Sequence, residues 1–332
     1  MSTLKTIDHP SAWSATQLVQ SEFWNLRLDE PEIEALCRIA RDDEAVAFDQ
    51  DPSLGSFRRK LTAIQNELEN GTGVVRVTGF PADHVVEETA RRAFWMLCSN
   101  IGTPISQSTA GEKIFSVRDA GFRDDDSRAR GPNTRKKLSF HTDRCDVIAF
   151  LCFRQAKEGG LNQVVSSVAL YNEILKTRPY LAQVLSESFL YQRHNVDAAN
   201  VLPYVEQPIF SIFQGHFAAN LLRVLIERAY AMPDTPNMRA EQREALDYLE
   251  AIAERPEFHI EFRQAPGDIL FLNNFVTFHR RTEFVDHDVL EQKRHLFRVW
   301  LSMPNSRPLD PRFAGNYGST EAGAIRGGMR AR

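Results

Sequence analysis

Pro266-Gly267-Asp268-Ile269-Leu270-Phe271-Leu272-Asn273-Asn274-Phe275-Val276-Thr277-Phe278-His279 is the stretch that decides the fold. Proline fixes one backbone angle and glycine frees the next, so Pro266-Gly267-Asp268 reads as a tight turn. The apolar run 269–272 follows with no spacer and is too short for a helix, so it reads as a buried strand. A second strand, 276–279, comes at once and ends on His279 among aromatic residues.

The same texture extends on both sides. Segments 114–118, 147–153, 163–166, 258–262 and 295–302 are short and β-rich, and turns separate them. Two helical segments interrupt the pattern: 168–185, broken at Pro179, and 240–254. Upstream, Ile33, Leu36, Cys37 and Ala40 recur at helical spacing, as do Phe57, Leu61, Ile64 and Leu68 before an Asn70-Gly71 cap. Residues 74–80 form a strand stopped by Pro81, and a helix through Thr89, Ala93, Phe94 and Leu97 closes near Gly102. Strands without regular βαβ alternation predict an α+β chain with a closed or sandwiched antiparallel sheet. No repeat and no internal boundary shows. One domain over 1–332 is expected, with a helical part over about 1–110, a β core over about 111–303 and a tail over 304–332.

The bulk properties narrow the function. A formal net charge of -4 leaves no excess of basic residues for phosphate backbones, which speaks against nucleic acid. No GxGxxG or GxxxxGK[ST] loop is present. No segment has the roughly 20 apolar residues of a membrane span, and the first residues lack a signal-peptide pattern. Cys37, Cys98, Cys145 and Cys152 form no CxxC pair and read as buried, reduced thiols. A cytoplasmic protein acting on a small molecule is the expectation, away from membranes.

Phe140-His141-Thr142-Asp143 carries the first chemical signal. On an extended chain, residues i and i+2 share a face, so His141 and Asp143 converge as a chelate for a divalent metal. Alone, an HxD is common by chance. His279 raises its weight, because two histidines and one carboxylate form the facial triad of non-haem iron(II) oxygenases. Zinc hydrolases also use three protein ligands, so the triad leaves the metal open. Arg294 and Arg298 then share one face of an otherwise apolar strand with Leu296. Burying guanidinium groups is costly unless they meet anions, and arginine suits a bidentate grip on a carboxylate.

With these residues in place, the sequence resembles the clavaminate synthase-like branch of the taurine/2-oxoglutarate dioxygenase family. The matching elements are His141-Thr142-Asp143, Gly159-Gly160, the Pro266-Gly267-Asp268 turn and its strand, His279, and the Arg294/Arg298 pair. The resemblance implies a double-stranded β-helix, or jelly-roll, core with flanking helices. It implies iron(II) held by His141, Asp143 and His279, with 2-oxoglutarate and O2 as cosubstrates. By position, Arg294 would bind the distal carboxylate of 2-oxoglutarate. Arg298 would approach the substrate or support the cosubstrate. The family often has Ser or Thr two positions beyond the glycine pair; here that position is Asn162, whose amide can still donate. The implied reaction oxidises an unactivated C–H of a small, carboxylate-bearing molecule such as an amino acid, releasing succinate and CO2. Hydroxylation leads. Desaturation or cyclisation with the same cofactors, and a metal-dependent jelly-roll hydrolase or isomerase, stand as alternatives.

Three further expectations complete the reading. Segment 119–137, rich in Gly, Pro and charge just before His141, is expected to act as a lid. The tail over 304–332 is placed to fold back over a pocket. His194, His216 and His259 read as structural or surface residues, and Asp146 as facing away from the metal.

Overall fold

The computed structural model of the chain describes residues 4–41, 55–122, 131–193 and 203–330. The Pro-Gly-Asp turn is built as its sequence requires. Gly267 has φ 88, and a Cβ there would fall 1.9 Å from the Phe80 carbonyl oxygen, so only glycine fits. Asp268 accepts from the Ala265 amide at 2.8 Å and pairs with Arg76 at 2.7 Å, which locks the turn to a neighbouring strand.

From that turn, Ile269–Asn273 enters the main sheet. Its order is Leu26–Arg27, Val74–Thr78, Ile269–Asn273, Val147–Arg154, His295–Ser302 and Thr103–Ile105, with Ile114–Val117 also paired to His295–Ser302. Apart from Leu26–Arg27 with Val74–Thr78, these pairings are antiparallel. A smaller sheet, His259–Phe262, Asn162–Ser166 and Thr277–Arg281, is antiparallel throughout.

Strand periodicity then divides the side chains. Val75, Val77, Ala149, Leu151, Phe271, Phe297 and Val299 point outward into a core shared with Ala35, Leu36, Phe57, Leu61, Phe94 and Leu97 of the N-terminal helices. Behind the smaller sheet, Val165 and Phe278 pack with Leu170, Ile174, Leu181 and Leu249 of the later helices. The two inner faces enclose a cavity, so each sheet has one helix-covered face and one site face.

The predicted elements are present with small changes of boundary. The helices Glu30–Arg41, Gly55–Asn70, Glu87–Ile101 and Ala240–Ala253 stand where the periodicity places them. Pro179 ends one helix, Ser167–Thr177, and opens another, Pro179–Leu185. Two hairpin-like pairs escape the sequence reading: Ser188–Gln192 with Tyr204–Pro208, and Phe210–Phe213 with His216–Ala219. The second is closed by Gln214 and Gly215, both with positive φ. Of the proposed lid, residues 123–130 lie outside the described residues, as does His194. Gly131, Pro132 and Lys137 line the cavity.

The tail folds back onto the metal-side loop. Arg326 pairs with Asp146 at 2.7 Å in full burial, while Arg144 donates through Nε to the Gly328 carbonyl at 2.8 Å. Asp146 therefore serves this anchor and turns away from the cavity. Removing one partner of a buried pair strands the other charge. Arg326→Met should lower unfolding free energy by about 3–5 kcal/mol in a denaturant titration; an unchanged midpoint would show that the anchor contributes nothing. All four cysteines are free and buried. Among the described residues, no helix is long and apolar enough to cross a membrane.

Candidate active site

The two histidines meet through their backbones. His141 N donates to His279 O at 3.0 Å and His279 N to His141 O at 3.1 Å, a single antiparallel bridge on the free edge of the strand Thr277–Arg281. Their rings lie 4.5 Å apart. Asp143 is brought in by its amide, which donates to Asn274 Oδ1 at 3.1 Å, and by Thr142, whose amide donates to Leu221 O at 2.8 Å. One ligand atom from each of His141, Asp143 and His279 lies within 4.8 Å of the others. His279 Nε2 is 3.4 Å from Asp143 Oδ2.

The donor chemistry suits a divalent cation. His141 Nδ1 faces the Ser139 carbonyl at 2.9 Å; a carbonyl only accepts, so Nδ1 carries the proton and Nε2 keeps its lone pair. Burial pushes His141 down to about 4, helped by His279, so its imidazole is neutral. Burial alone would raise the Asp143 carboxyl, but Arg298, His279 and His141 outweigh it and hold it well below the usual range. A neutral imidazole and an ionised carboxylate are the states metal binding needs. Asp143 Oδ2 is also buried without a hydrogen-bond partner in the chain. The residues present fit an iron(II) ion.

The arginines occupy two stations along His295–Ser302 and its approach. In the main-sheet register, Leu270, Phe150 and Arg298 lie in one row and Leu272, Ile148 and Trp300 in the next. Arg298 is beside the metal-site carboxylate: Nη1 is 3.7 Å from Asp143 Oδ1, and Nε donates to Gln107 Oε1 at 2.6 Å. Arg294 lies further off, 2% exposed, with Nε and Nη1 buried and unpartnered. Burial pushes its guanidinium down to about 10. The glycine pair makes room for it, since a Cβ on Gly160 would come within 3.3 Å of Arg294 Nε. Asn162 lines the same cavity and donates from Nδ2 to Gln264 Oε1 at 3.1 Å.

The structure thus brings all six sequence-predicted residues to one cavity of about 770 Å³. Sequence reading missed several others. Gln107 and Asn274 orient Arg298 and Asp143 through contacts remote in sequence, for which no local signal exists. Asn316 and Met329 of the tail also line the cavity. Arg281 could have been found, because it stands two residues beyond His279 and alternation puts it on the same face.

Facing sheets with two histidines and a carboxylate at one mouth, and a buried arginine awaiting an anion, define the class of non-haem iron oxygenases that use an oxo-acid cosubstrate. The chain belongs to the taurine catabolism dioxygenase TauD, TfdA family, which residues 46–300 match. It is an oxidoreductase that uses iron(II), 2-oxoglutarate and O2. FR-33289 synthase of Streptomyces rubellomurinus is 28% identical over 316 residues, covering 91% of this chain and 92% of the relative. The taurine hydroxylase-like protein SAT17 of Stachybotrys chartarum is 31% identical over 173 residues, 50% of this chain and 43% of its own. Among solved structures, asparagine oxygenase in complex with Fe(II), 2S,3S-3-hydroxyasparagine and succinate superposes with TM-score 0.64 at 17% identity, over 84% of this chain and 93% of that one. The non-haem iron oxygenase OrfP, in complex with Fe and alpha-ketoglutaric acid, gives 0.62 at 15% identity, over 84% and 94%. These likenesses show a shared mixed α+β fold.

Proposed function

We propose that the chain hydroxylates an unactivated C–H of a small, carboxylate-bearing molecule of the amino-acid class, with His141, Asp143 and His279 holding the iron. The observation that carries this reading is Arg294, a buried guanidinium with unpartnered donors in the same cavity as the three ligands. A hydrolase or isomerase would have no use for it, and family membership sets that alternative aside. We read the two facing sheets as a double-stranded β-helix and residues 1–332 as one catalytic unit, with the helical part, the core and the tail all contributing to it. Both neighbouring structures described above support the substrate class: one holds hydroxyasparagine, and OrfP has also been solved with L-Arg.

When bound, iron(II) supplies oxygen activation coupled to decarboxylation of 2-oxoglutarate, so that substrate, O2 and 2-oxoglutarate yield the alcohol, succinate and CO2. The chain's residues do the rest. Arg294, with Asn162 nearby, holds the far carboxylate and so aims the oxo-acid end at the metal. Phe150, Leu270 and Leu272 form an apolar wall that keeps water from the reacting centre. Arg298, adjacent to Asp143, orients an anionic group of the substrate.

Arg298→Ala should raise the substrate KM by about ten- to a hundredfold while the 2-oxoglutarate requirement changes far less. Equal loss of both would merge the two arginines into one cosubstrate clamp and remove the case for an anionic substrate. The broader test is a screen of succinate release across amino acids, sulfonates and other organic acids. The reading expects stimulation by an amino acid or related carboxylate; stimulation only by uncharged compounds would contradict it.

A further inference from the structure

Arg281 is a further buried cation in the cavity beside Arg294 and Arg298, and neither the sequence motifs nor the comparisons give it a role. It ends the strand Thr277–Arg281, two residues past His279 on the same face, which places it about 7 Å further along. That is about the length of an extended five-carbon diacid, so an acid whose oxo-acid end lay at the metal site would bring its far carboxylate near Arg281. Its register partner across the smaller sheet is Asn162, as Val164 is that of His279. From the other side, the guanidinium carbons of Arg281 and Arg294 stand 4.7 Å and 5.2 Å from the Phe284 ring, which gathers the two arginines at one end of the cavity.

The local bonding leaves Arg281 without a counter-ion. Nε donates to Thr282 O at 3.1 Å and Nη2 to Lys136 O at 2.5 Å. Among the described residues, no carboxylate forms an ion pair with Arg281 or Arg294. The acidic group whose charge Arg281 does feel, Asp119, is itself paired with Arg135 at 3.0 Å. Arg281 is 6% exposed. Two buried like charges in one apolar pocket are unfavourable until an anion enters between them. A carboxylate offers about four lone-pair positions, enough to accept from two guanidinium groups at once.

We propose that Arg281 and Arg294 together form a two-arginine clamp on the distal carboxylate of 2-oxoglutarate. This rests on the cosubstrate reading above. It assigns the far end of the cavity to the cosubstrate and leaves Arg298, at the metal end, for the substrate. The competing role for Arg281 is purely structural, a brace on the Lys136 carbonyl ahead of His141.

The test is anaerobic calorimetric titration of the iron-loaded enzyme with 2-oxoglutarate and with 2-oxopentanoate, which keeps the oxo-acid end and lacks the distal carboxylate. Arg281→Met should weaken 2-oxoglutarate binding by about ten- to a hundredfold, leave 2-oxopentanoate binding unchanged, and so narrow the difference between the two ligands. Arg281→Lys, which keeps a charge without the fork, should fall between. Unchanged 2-oxoglutarate affinity in Arg281→Met would overturn the clamp. Equal weakening of both ligands would overturn it too, in favour of the brace. A wild-type enzyme that binds neither ligand would sink the cosubstrate reading itself, an outcome distinct from the other two.

Discussion

Asp143→Ala should abolish iron retention and lower turnover by more than about a thousandfold, the scale of the several kcal/mol that a bound metal supplies to a reaction. The reason is geometric as well as chemical. Asp143 is the one carboxylate among the three converging ligands, and its neighbours already hold it ionised. Its loss leaves two imidazoles facing a cavity that also contains Arg298 at close range, so the site becomes cationic and repels the metal. Asp143→Asn keeps the shape and removes the charge, which separates ligand loss from a packing defect. Metal content of both purified variants is the check. Iron retained at wild-type stoichiometry in Asp143→Ala would remove this residue from the ligand set.

Arg294→Ala should weaken 2-oxoglutarate binding by about thirtyfold to several thousandfold, from the 2–5 kcal/mol lost when one partner of a buried charge pair is truncated. Iron binding should be untouched, because Arg294 lies at the far end of the cavity from the ligands. A second consequence follows from its unmet donors. If Arg294 holds the distal carboxylate, 2-oxoglutarate satisfies a charge that folding has already buried, and the cosubstrate should raise Tm with concentration. That rise should shrink markedly in Arg294→Ala. A rise of equal size in the variant would place the cosubstrate carboxylate elsewhere.

Much of this was legible in the sequence because the relevant signals are local. A Pro-Gly-Asp turn, a strand of pure apolar residues and an i, i+2 chelate each need only a few neighbours to be read. His141, Asp143, His279, Arg294 and Arg298 stand in such patterns, Asn162 was reached only through the family resemblance, and all six line the cavity. What escaped depends on distant contacts or on mixed patterns. Tyr204–Pro208 carries Glu206 and Gln207 and ends in proline, so it does not read as a strand, and only its partner Ser188–Gln192 makes it one. Gln107 meets Arg298 across 191 positions of chain. The tail's contribution through Asn316 and Met329 depends on the Arg326–Asp146 pair, which no spacing rule anticipates. Arg281 is the instructive case. Its i, i+2 relation to His279 is the same signal that links His141 to Asp143.

Oxygen uptake by the purified enzyme, supplied with iron(II), ascorbate and 2-oxoglutarate, tests the central claim most directly when succinate is measured in the same vessel. The account predicts slow uptake without substrate, matched mole for mole by succinate, requiring both iron and 2-oxoglutarate and absent in Asp143→Ala. Uptake that proceeds without 2-oxoglutarate, or that persists undiminished in Asp143→Ala, would contradict it.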